Sequence, residues 1–125
     1  MRLRILIADD HPGMATALVR LLSPDHDVVG IISDGGAVVE AALRLQPDVV
    51  LVDVSLPHVN GIEICRQITQ SSLRTRVIMM TGLFDREIRD RAIEVGAAAF
   101  LSKVAVAAEL LSTITGAMER EAGPC

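Results

Sequence analysis

The 125 residues read as an α/β protein built on a doubly wound, five-stranded parallel sheet, (βα)5 in chain order. Short apolar runs alternate with longer stretches of helical periodicity, the pattern that βαβ units leave in a sequence. Most of these runs are rich in Val, Ile or Leu without period-two alternation, as in strands buried on both faces. Charged residues also close three of the runs: Asp9-Asp10, Asp53 and Lys103.

The elements follow in order. Strand one is expected over residues 3–8. Helix one follows Pro12, lays Met14, Leu18, Leu21 and Leu22 on one face, and stops at Ser23-Pro24, where the residue before a proline disfavours helix. Strand two spans 27–32. Helix two, 35–45, carries Val38, Ala42 and Leu45 and halts before Pro47. Strand three is 49–53, and helix three, 61–70, shows Ile64, Cys65 and Ile68 on its apolar side. Strand four is 76–81. Helix four, 86–95, starts at the capping residue Asp85 and ends at Gly96; its apolar face is thin, with Ile88, Ala92 and Val95 only. Strand five is 98–102. Helix five, 106–119, is amphipathic through Leu110, Leu111, Ile114 and Met118. Residues 1–120 then make one domain, and 121–125 a frayed tail.

Composition excludes several functions. Half of the residues are apolar and the net charge is -4, with the twelve Lys and Arg scattered, so no basic stripe for nucleic acid is present. No apolar run approaches the roughly 20 residues that span a bilayer, and no signal-peptide pattern precedes strand one, so a cytoplasmic location is expected. Gly35-Gly36 lacks the further spacing of a nucleotide-binding loop. The absence of Trp and Tyr argues against a flavin site. Cys65 reads as a small core hydrophobe, and Cys125 carries no information. His11, His26 and His58 are expected to be solvated loop residues rather than ligands or phosphate carriers.

Right-handed crossovers make 2-1-3-4-5 the simplest strand order, a flavodoxin-like arrangement whose switch point lies between strands one and three. Asp9-Asp10 and Asp53 end those two strands. Three carboxylates brought to one rim repel each other. A divalent cation with a phosphoryl group, balanced by Lys103, accounts for their gathering.

Asp9-Asp10-His11-Pro12, Asp53-x-x-x-Pro57-x-x-x-Gly61, Thr81 and Lys103, in this order and at these strand ends, resemble the receiver domain of bacterial two-component response regulators. The resemblance covers residues 3 to about 119. Asp-Asp-His-Pro, with Val104 rather than proline after the lysine, is most similar to the branch bearing C-terminal LuxR-type helix-turn-helix output domains. The resemblance implies that Asp53 accepts a phosphoryl group from a sensor histidine kinase, a role suited to a strand-end carboxylate that can attack phosphorus in line. It implies Mg2+ held by Asp9, Asp10, Asp53 and the backbone carbonyl of Ser55. Lys103 and Thr81 would stabilise the phosphoryl oxygens, and Phe100 would act with Thr81 as a two-state switch reshaping the surface of helix four, strand five and helix five. Such a chain is a switch and not an enzyme. Composition leaves a homodimer open. The rival reading is an interaction module of the same fold that works without phosphorylation, against which the intact set of Asp9, Asp10, Asp53, Thr81 and Lys103 weighs.

Overall fold

Five parallel strands form one sheet in the order β2-β1-β3-β4-β5: β1 (Arg4–Ala8), β2 (Asp27–Ile32), β3 (Val49–Asp53), β4 (Arg76–Thr81) and β5 (Ala99–Ser102). The structure is a computed structural model that describes residues 1–56, 59–71 and 74–119. Pro57, His58 and the tail expected over 121–125 lie outside the described residues. The helices are α1 (Pro12–Leu22), α2 (Val38–Leu45), α3 (Gly61–Ser71), α4 (Arg86–Glu94) and α5 (Val106–Glu119). Fold class and strand order agree with the sequence reading, and most boundaries fall within a residue of it.

Strand pleating sorts the core into two layers. Leu6, Ala8, Val50, Val52, Val77 and Met79 pack with Val38, Ala42, Ile64, Cys65, Ile68 and Ala92 on the α2, α3 and α4 side. Ile5, Ile7, Val49, Leu51, Ile78 and Met80 meet Leu18, Leu22, Leu110 and Ile114 on the α1 and α5 side. Both faces of β1, β3 and β4 are thus covered, which is why these strands show no polar alternation.

The outer strands depart from expectation. β2 has no fully buried residue and leaves Ile31 48% exposed, and in β5 only Leu101 is fully buried. Each has a neighbour on one side only, so burial on both faces holds for the middle of the sheet alone. Helix two also starts later than expected. Gly35–Ala37 forms a 3-10 turn, capped by Asp34 Oδ1 accepting from Gly36 N–H at 2.9 Å, and α-helix begins at Val38. Two consecutive glycines are poor α-helix formers, and a tight turn suits them better. α2 stops at Gln46, whose φ of +51° turns the chain out of the helix ahead of Pro47. Asp85 caps α4 as expected, accepting from Glu87 N–H at 2.8 Å and Ile88 N–H at 3.3 Å.

Candidate functional site

Parallel strands align their carboxyl ends, so the residues that leave β1, β3, β4 and β5 meet at one rim. Asp9 follows β1, its backbone N–H held by Ile32 C=O of β2 at 3.0 Å, and Asp53 closes β3. Both carboxylates are buried, while the Asp10 side chain stays 35% exposed. Lys103 opens a 3-10 turn after β5 and reaches back into the sheet rim. Its Nζ donates to Asp53 Oδ2 at 2.9 Å and stands 3.0 Å from Asp9 Oδ2. Burial of the ammonium group works to lower its pKa, and is the largest single influence; the hydrogen bond to Asp53 and the close carboxylates of Asp53 and Asp9 together outweigh it and hold the pKa above its usual value.

The turn after Asp53 fixes the carboxylate. Ser55 N–H donates to Asp53 Oδ1 at 3.0 Å, which leaves Oδ2 as the oxygen shared with Lys103. Gly61 makes that turn fit: a Cβ there would stand 2.8 Å from Val54 Cα, closer than carbon atoms tolerate, and a tight 3.1 Å from the Asp53 carbonyl oxygen. The last residue of the Asp53-x-x-x-Pro57-x-x-x-Gly61 pattern is therefore a packing requirement of the first. Asp53 and Ser55 line a cavity of about 350 Å3 with His11, Met14, Gly82 and Lys103.

The side chains gathered here can hold a divalent cation. One ligand atom from each of Asp9, Asp10, His11 and Asp53 lies within 4.8 Å of the others. Asp9 Oδ2, fully buried, receives no well-angled hydrogen bond and has the Lys103 ammonium as its neighbour. A buried anionic oxygen in that condition is a group a cation would satisfy.

Thr81 closes β4 and Phe100 lies in β5. The Thr81 hydroxyl donates to Leu83 C=O at 2.8 Å and accepts from Leu83 N–H at 3.3 Å. Its single hydroxyl hydrogen is therefore taken up by its own loop. Phe100 is half-buried and meets Phe84 edge-on, with ring centroids 5.9 Å apart and planes at 77°. Phe84 in turn lies 6.0 Å from the guanidinium carbon of Arg89 on α4. Phe84 was not singled out by sequence, since an aromatic in a polar loop has no periodic signature.

Two histidines have partners that the sequence reading did not foresee. His11 Nδ1 is 3.3 Å from Asp9 Oδ1, 3.2 Å from Asp10 Oδ1 and 3.7 Å from Asp53 Oδ2, so this ring belongs to the acidic cluster although the side chain is 64% exposed. Adjacency to Asp9-Asp10 was the available signal. His26 is no free loop residue either, because its Nδ1 accepts from Leu3 N–H at 3.2 Å and ties the β2 entrance to the start of β1.

Comparison with known proteins agrees with this geometry. A family model described as "Response regulator receiver domain" matches residues 5–115. The transcriptional regulatory protein LiaR of Bacillus subtilis is 35% identical over 121 residues, 95% of this chain and 57% of LiaR. The response regulator domain of Thermotoga maritima CheB superposes with a TM-score of 0.88 at 34% identity, covering 97% of this chain and 99% of that one. A LuxR-family two-component response regulator from Aurantimonas sp. SI85-9A1 gives a TM-score of 0.90 at 29% identity, with 98% and 89% covered. The chain spans about half the length of the curated relatives LiaR and NarL that it matches.

Proposed function

The chain belongs to the response regulator receiver domain family, and from that premise we propose that residues 1–120 form a phosphorylation-driven switch whose acceptor is Asp53. The observation that carries the reading is the convergence of Lys103 on both Asp53 and Asp9 at the rim of the sheet. Ser55 N–H anchors Asp53 Oδ1, which leaves Oδ2 to attack the phosphorus of a sensor kinase phosphohistidine. The carboxylate oxygen forms a new bond to phosphorus as the bond from phosphorus to imidazole nitrogen breaks, and the released imidazole takes up a proton.

Lys103 already neighbours Oδ2 and can follow the negative charge onto the phosphoryl oxygens. Asp9, Asp10 and Asp53, with the Ser55 carbonyl, would hold Mg2+, which when bound offsets carboxylate repulsion and the charge of the phosphoryl group. Thr81 would exchange its Leu83 carbonyl partner for a phosphoryl oxygen. That exchange releases the loop carrying Phe84, and with it the edge contact to Phe100, so the α4, β5 and α5 surface changes. The chain's chemistry is limited to gaining and losing its own phosphoryl group, in the cytoplasm. In a longer protein that surface would report to a DNA-binding output domain, a reading supported by the half-length match to a transcriptional regulator.

Incubation with a small phosphodonor and Mg2+ tests the proposal. Mass spectrometry should find a hydroxylamine-labile adduct on Asp53, lost in Asp53→Ala. An unmodified wild type overturns it and leaves the phosphorylation-independent interaction module as the reading of this fold; an adduct that survives the substitution overturns Asp53 as the acceptor.

A further inference from the structure

We propose that His11 is a nitrogen ligand of the cation site and that it biases the site toward borderline transition-metal ions, such as Co2+, Ni2+ and Zn2+, relative to Mg2+. The inference rests on the metal reading of the acidic cluster; its own content is the fourth donor. His11 Nδ1 lies 3.3, 3.2 and 3.7 Å from oxygens of Asp9, Asp10 and Asp53. Around an ion bound at about 2.1 Å, adjacent ligands stand about 3.0 Å apart in an octahedron and about 3.4 Å apart in a tetrahedron. The ring nitrogen is thus already at the separation of a neighbouring ligand from Asp9 and Asp10, and a few tenths of an ångström beyond it from Asp53.

The chain path holds it there. His11 precedes α1 in an extended conformation, its N–H donates to Asp9 Oδ1 at 2.8 Å, and Pro12 fixes the next residue at the helix start. The second observation is Asp9 Oδ2, buried in the same cluster, with no hydrogen bond and only the Lys103 ammonium, 3.0 Å away, to offset its charge. The His11 side chain is 64% exposed, so water can serve Nε2–H once Nδ1 turns its lone pair on an ion; without one, Nδ1 stands within hydrogen-bond reach of Asp9 Oδ1.

Ligand chemistry then sets the preference. Carboxylate and water oxygens suit Mg2+, whereas an imidazole nitrogen adds affinity for later first-row ions and little for a hard ion that dehydrates reluctantly. One buried acceptor, two further carboxylates and one imidazole make a mixed donor set rather than an all-oxygen one.

The test uses the full chain with two readouts. Mn2+ bound to the protein is examined by electron spin echo spectroscopy for nitrogen hyperfine modulation, and Co2+ and Mg2+ affinities are measured by calorimetry. Wild type should show directly bound nitrogen, His11→Ala should lose it, and the ratio of Co2+ to Mg2+ affinity should fall by at least about tenfold in the variant. A wild-type spectrum without nitrogen coupling, or an unchanged ratio in His11→Ala, overturns the role of His11 alone. Failure of all three ions to bind wild type, or affinities that survive Asp10→Ala, removes the cation site itself and this inference with it.

Discussion

Among the described residues, Lys103 is the lysine or arginine set between two buried carboxylates, and its removal would leave Asp9 and Asp53 without that charge between them. Taking one partner from a buried ion pair costs more than the pair contributes, because the remaining charge stays desolvated. Lys103→Met should therefore lower stability by roughly 3 kcal/mol at neutral pH, the low end of the range because the side chain keeps 14% exposure. Urea denaturation measures this, and added Mg2+ should narrow the gap; a variant as stable as wild type without cation would show that the two carboxylates do not depend on the lysine. The positions of Asp9, Asp53 and Lys103 were legible in sequence because each closes or follows an apolar run, and parallel strands bring such ends together. The direction of the His11 ring was not, since an exposed side chain at a helix start has several rotamers and only the neighbouring carboxylates choose among them.

The turn from β3 into α3 links packing to the site at the level of elements. Gly61→Ala would push a methyl group against Val54 Cα, which is backbone and has no free end to move. The helix start must shift instead, at a cost of about 1–3 kcal/mol for an overpacked position. The displaced turn also carries Ser55 N–H away from Asp53 Oδ1, so the rate of adduct formation should fall together with the denaturation midpoint. A stable variant phosphorylated at the wild-type rate would show that the close approach is incidental. Element type was readable throughout, because uninterrupted Val, Ile and Leu in β1, β3 and β4 left little alternative. Burial of β2 and β5 was not readable: Val28 to Ile32 resembles the central strands in composition, and only its place at the edge exposes Ile31. The late start of α2 was visible in Gly35-Gly36, whose low helix propensity the periodic pattern of Val38 and Ala42 had overridden.

Two groups make the whole molecule sensitive to alkali. Burial pushes the Cys65 thiol from 9.0 up to about 12. An unfolded chain ionises this thiol near 9.0 while the folded one holds the proton, so stability is full below that pH and falls as pH rises toward about 12. The Lys103 ammonium acts in the same direction but later, its contribution being present below 10.5 and lost as pH passes its raised folded value. Between pH 9.0 and 10.5, denaturation midpoints of wild type should therefore decline more steeply than those of Cys65→Ala. Parallel profiles would refute the burial argument. The assembly of the rim has a further consequence. Asp9 and Lys103 sit 94 positions apart, and they meet only when the last strand has docked beside β4. A nascent chain whose fifth strand has yet to emerge from the ribosome is chemically mute in this respect, because half of the rim is still missing.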